Sequence, residues 1–170
     1  YNISQKDRYK QSNPYIKVVN IETVFPNSII FHVAERQEMF AIKYENKYLI
    51  IDNEGKILSI KDNFVNNAQS AILLENYKVN NTTSQAQNDA GESENKVEYL
   101  AGDFIRNNTF LKQLAIILQE WKLSFRELKA HIISISINGD DLLLNMRCGL
   151  TIKVFHFNSN LSNKINLAFS

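Results

Sequence analysis

Very little in this 170-residue chain belongs to the residue types that build reactive or cross-linked sites: one cysteine, five glycines, two prolines and three histidines. A lone cysteine, Cys148, excludes an internal disulfide and any multi-cysteine metal site, and it leaves the redox compartment open. Five glycines provide little for a Gly-rich phosphate loop, and no Gly-x-Ser-x-Gly elbow occurs. There is no excess of one charge either. Nineteen basic and eighteen acidic residues give a net charge of +1, scattered in small mixed groups without the stripe that a phosphate backbone requires, so nucleic acid is not an expected partner. No run of eighteen apolar residues is present, and the polar start Tyr1–Lys10 is neither a signal peptide nor a basic anchor.

The residues with chemical potential are isolated. His32, His131 and His156 lie far apart, none with a His or Cys at metal-ligand spacing, and are read as strand-face or surface groups rather than ligands. Asp52-Asn53-Glu54-Gly55 has some of the acids of a calcium loop but lacks their alternation and the terminal Glu, so it is read as a turn. Cys148 has no evident base and is expected to be a half-buried structural thiol. Glu35-Arg36 is read as a structural pair at a strand end, with a functional pair as the alternative. No catalytic residue, metal or cofactor follows from these positions.

What is present is enough apolar material, 44% of the chain, for a packed core. Pro14 ends a short polar helical segment at Asn13. Ile16–Val24 and Ile29–Ala34 are rich in β-branched residues and flank Phe25-Pro26-Asn27-Ser28, which predicts a hairpin. Met39–Tyr44, Lys47–Ile51 and Lys56–Ile60 predict an antiparallel meander, with Gly55 at a position that needs positive φ. The polar stretch Val79–Lys96 lacks residues to bury and is expected to be a flexible loop, dispensable for folding. Phe110, Leu114, Ile117, Leu118 and Trp121 recur at helical spacing, with Asn107 or Asn108 as cap, and predict a helix over Thr109–Lys122. Trp121 is assigned to its core stripe, with a binding hot spot as the alternative. Ser124 and Glu127 have capping-box spacing for a second helix to His131. Strands follow at Ile133–Ile137, Leu142–Met146 and Leu150–Phe157, then a closing helix carrying Leu161, Ile165 and Ala168. The apolar end Leu167–Ser170 is expected to be a cut within a longer protein.

Asn13-Pro14-Tyr15-Ile16, Phe25-Pro26-Asn27, Val33-Ala34-Glu35-Arg36 and Tyr48-Leu49-Ile50-Ile51-Asp52-Asn53-Glu54-Gly55-Lys56-Ile57-Leu58 together resemble the FtsQ/DivIB family of bacterial division proteins. Leu150–Val154, Leu161 and Lys164-Ile165 resemble that family's late strand and following helix. The resemblance implies an α+β fold: a partial POTRA module over 1–38, lacking its first strand and helix, then a mostly antiparallel β domain over 39–170 with two or three helices and the loop around 79–96. It further implies a non-enzymatic scaffold, the extracytoplasmic part of a single-pass protein of the cell membrane at the division septum. The implied partners are DivIC/FtsB-like and FtsL-like proteins, docked on a strand edge beyond the final helix. The alternatives are a POTRA-type chaperone module of a secretion or outer-membrane assembly system, and a wall hydrolase or peptidase.

Overall fold

The computed structural model describes residues 13–79, 98–106, 108–120, 125–139 and 141–155. The first polar segment, most of the loop expected at 79–96, Trp121, His156 and the closing helix lie outside the described residues.

Two sheets form. β1 (Ile16–Val24) and β2 (Ser28–Glu35) pair as an antiparallel hairpin, with a register shift between Val18 and Asn20. The second sheet contains β3 (Phe40–Tyr44), β4 (Lys47–Ile51), β5 (Ile57–Lys61), β6 (Ile72–Glu75), β7 (Ile132–Asn138), β8 (Asp141–Met146) and β9 (Thr151–Val154), in the order β5-β4-β3-β6-β7-β8-β9. Helices α1 (Thr109–Glu120) and α2 (Phe125–His131) lie between β6 and β7 in the chain. The protein is therefore mostly β with two described helices, as expected for an α+β chain with a largely antiparallel sheet.

The expected meander is there: β3 pairs with β4 and β4 with β5, both antiparallel. So does the second run of strands, β7 with β8 and β8 with β9. The strand that joins the two runs, β6, was not among the expected elements, and it pairs in parallel with β3 on one side and β7 on the other. Ala71-Ile72-Leu73-Leu74 is a short continuous apolar run because both of its faces are covered, Ile72 and Leu74 in the main core and Ala71 and Leu73 in the smaller cluster, so it shows none of the apolar-polar alternation by which β7 is legible. Parallel pairing with β7 also requires a long crossover, which the chain supplies through both helices.

Alternation of side chains assigns the two faces of this sheet. Phe40 and Ile42 of β3, Leu49 and Ile51 of β4, Ile72 and Leu74 of β6, Ile135 of β7 and Leu142 and Leu144 of β8 are all buried in the main core. Against them α1 sets Leu111, Leu114, Ala115 and Leu118, at the i, i+3, i+4, i+7 spacing of one helix face. Leu128 of α2 completes the cover. On the reverse face a smaller cluster of Ala41, Ile50 and Ala71 is capped by Tyr48, Phe64 and Leu73, with the Tyr48 and Phe64 rings 5.5 Å apart.

Candidate functional site

Three surface features are set up by this fold: the hairpin, the junction where it meets the large sheet, and the outer strand of that sheet.

The register of the hairpin sorts its residues by face. Ile16, Val18 and Ile21 of β1 lie on the same side as Val33, Phe31 and Ile29 of β2, while Lys17, Asn20 and Glu22 share the other side with Ala34, His32 and Ile30. One side is thus strongly apolar. Every one of those six apolar residues is exposed, Phe31 at 58%. Clusters of this kind on a surface mark sites of association with other protein segments or molecules. His32 sits on the more polar side, 3.5 Å from Glu22, both exposed, in agreement with the sequence reading of it as a surface group.

At the base of the hairpin, Arg36 departs from the reading as a pair with its neighbour Glu35. Its guanidinium instead turns to the β4–β5 turn, where it is hydrogen-bonded to Asp52 and lies 2.8 Å from Glu54. The side chains of Arg36 and Asp52 are only 10% and 1% exposed. A strand-end pair in sequence cannot show this, because the partners are 16 and 18 residues downstream and meet only when β3 and β4 have folded back. The Asp52 carboxylate also accepts the backbone N–H groups of Glu54 at 2.9 Å and Lys56 at 2.8 Å, closing the turn. Gly55 takes φ +81°, as the sequence predicts. Lys17 donates to the other Glu54 oxygen, and the Tyr15 hydroxyl donates to Glu38 at 2.7 Å, while the Arg36 backbone N–H donates to the Tyr15 carbonyl. The two carboxylates of the turn are therefore engaged by protein cations, which is the opposite of a calcium loop.

The hydrogen bonds from Lys17 and then Arg36 hold the Glu54 carboxyl below its ordinary 4.5, against the opposing effect of burial. A carboxylate whose folded pKa is lowered stabilises the fold above its unfolded pKa, and that contribution is lost as pH falls through the folded value. The thermal midpoint is accordingly expected to drop more steeply between about pH 5 and pH 3 in the parent chain than in Glu54→Gln. Scanning calorimetry at a series of pH values checks this, and parallel acid slopes would contradict it.

The outer strands of the large sheet differ. The start of β5 is covered by the 102–105 segment: the Ile57 N–H donates to Asp103 and the Gly102 N–H to Ile57, each at 2.8 Å. β9 ends the strand order on the other side, pairing with β8 alone among the described strands. Lys153 lies on it, 3.1 Å from Asp141 and 4.5 Å above the Phe155 ring. A lysine on a terminal strand discourages indiscriminate pairing while leaving backbone groups available to a specific strand.

The remaining sequence candidates do not converge. Cys148 is exposed in the β8–β9 turn beside Gly149 at φ +88°, which corrects the expectation of a half-buried thiol: β9 begins at Thr151, three residues later, so the tip of a tight turn has nothing to cover it. His131 ends α2 and is exposed. Asn108, expected as a helix cap, does precede α1 and its carbonyl accepts the Lys112 N–H, but its side-chain amide donates to the Glu54 carbonyl at 2.7 Å. Among the described residues no three His, Cys, Asp or Glu side chains form a group that could hold a metal ion, and no helix is long and apolar enough to cross a membrane.

No protein-family model matches the chain. Among curated proteins it is similar to cell division protein DivIB of Clostridium tetani, 44% identical over 55 residues, which is 32% of this chain and 21% of that protein. It is likewise similar to DivIB of Clostridium acetobutylicum, 45% identical over 58 residues, covering 34% of this chain and 23% of that protein. The matches thus span only about a fifth of the length of these relatives. Among solved structures it resembles the major extracytoplasmic domain of DivIB from Geobacillus stearothermophilus, with a TM-score of 0.42 and 11% identity over 78% of this chain and 87% of that one. The identity to two DivIB sequences supports the resemblance to the FtsQ/DivIB family that the motifs from Asn13 to Leu58 carry.

Proposed function

We propose that this chain is part of a non-enzymatic scaffold of the bacterial division machinery, acting outside the cytoplasm at the septal membrane and joining DivIC/FtsB-like and FtsL-like proteins. The observation that carries this reading is the similarity to two proteins named cell division protein DivIB. It is supported by surfaces suited to binding, an exposed apolar hairpin face and a terminal strand at β9. In this reading residues 1–38 belong to a POTRA module and residues 39–170 to the β domain, a division that agrees with the change from the small sheet to the large one between Glu35 and Phe40. Recognition by strand addition needs a run of unpaired backbone groups, with side-chain pockets adding selectivity.

The experiment is a calorimetric titration of DivIC/FtsB-like and FtsL-like ectodomains into this chain, with the β8–β9 hairpin the first part to be tested by substitution. Saturable binding that a substitution there weakens is the expected result. Failure to bind either ectodomain would overturn the scaffold reading.

A further inference from the structure

Three separate parts of the chain meet at the turn Asp52–Lys56. From the hairpin, Arg36 and Lys17 reach the Asp52 and Glu54 side chains. From the residue before α1, the Asn108 side chain donates to the Glu54 carbonyl at 2.7 Å. From the segment leading to α1, the Ile105 N–H donates to the Gly55 carbonyl at 2.8 Å. Two peptide groups of one turn thus hold the entry to the helix, while the side chains of the same turn hold the hairpin. The fit leaves no slack: a Cβ at Gly55 would stand 2.8 Å from the Asn108 amide nitrogen and 2.9 Å from its Cβ. The turn itself is stiffened from within, since Asp52 accepts two of its N–H groups and the anchoring Arg36 is nearly buried.

We propose that this turn is a conformational coupler, making the orientation of the β1–β2 hairpin and the seating of the α1 N-terminus interdependent. Among the described strands the hairpin shares no backbone pairing with the large sheet, so its angle is set by the contacts at its base. A force or partner that swings the hairpin withdraws Arg36 and Lys17 from Glu54, and the Glu54 peptide carries that change to Asn108. Helix α1 buries Leu111, Leu114 and Leu118 against the sheet, so a shift at its first turn is transmitted to the core rather than dissipated in solvent. Coupling between sites needs such a physically continuous chain of contacts, and it must be reciprocal.

Nuclear magnetic resonance on the labelled chain tests this in both directions. Arg36→Gln is expected to shift the Asn108 side-chain amide and the backbone amides of residues 109–111, and to accelerate exchange at the Glu54 and Lys56 amides by about tenfold. Asn108→Ala is expected to shift the Arg36 Nε resonance. Lys17→Gln removes a more exposed member of the cluster and gives the same readout at Asn108 should Arg36→Gln not fold. Changes confined to the hairpin and the turn in the Arg36 or Lys17 variant, with the Asn108 amide unmoved, would overturn the proposal. So would an unperturbed Arg36 in Asn108→Ala.

Discussion

Asp52→Ala is expected to destabilise this protein by about 3–5 kcal/mol, the range for removing one partner of a buried ion pair. The effect is large because one carboxylate has three duties. It neutralises Arg36, whose side chain is nearly buried, and it satisfies the N–H groups of Glu54 and Lys56. In the variant, Arg36 keeps Glu54 as its anionic partner among the described residues, and the turn that joins β4 to β5 loses its side-chain acceptor. For a chain of this length the melting temperature should fall on the order of 10 °C. Asp52→Asn retains an oxygen for the turn amides while losing the charge, so its loss should be roughly half as large. Denaturant titration of the two variants checks the order. An Asp52→Ala protein as stable as its parent would show that the ion pair gains no more than it costs to desolvate.

Phe40→Ala should also cost about 3–5 kcal/mol, through lost transfer free energy and the cavity left in a packed core. Phe40 is fully buried in β3, one strand from the centre of the sheet and opposite the leucines of α1. Phe31→Ala is the control. It removes the same side chain from the exposed apolar face of the hairpin and should change the stability of the isolated chain by no more than about 0.5 kcal/mol. Urea midpoints separate the two. If Phe31→Ala proved as costly as Phe40→Ala, the hairpin face would be covered in solution, by a second copy or by another part of the chain, and the oligomeric state would then have to be measured. If it is neutral for stability but weakens a partner complex, the face is a docking surface.

Much of the fold was legible before any coordinates. The hairpin at residues 16–35, the meander from Phe40 to Lys61, α1 and the β7–β8 hairpin come from patterns that are local: β-branched runs, alternation of apolar and polar residues, helical spacing, and turn residues such as Gly55 whose positive φ is set by the turn itself. The resemblance to the FtsQ/DivIB family was carried by the same segments. Local propensity and tertiary packing agree there, so the sequence shows them directly.

What tertiary structure alone decided is where segments distant in the chain were brought together. β6 is invisible as a strand because apolar residues cover both of its faces and it therefore lacks alternation; its place between β3 and β7 depends on parallel pairing across a crossover. Arg36 is adjacent in sequence to Glu35, yet its charge is neutralised by Asp52 and Glu54 after two strands have folded back. Asn108 is a helix cap by sequence, and its side chain is drawn to the Glu54 carbonyl by a turn 54 residues earlier. Composition, period and turn chemistry are properties of neighbouring residues and are written in the chain. The choice of partner for a buried charge or an exposed apolar face is a comparison among all groups that the fold brings within reach, and that comparison exists only in three dimensions.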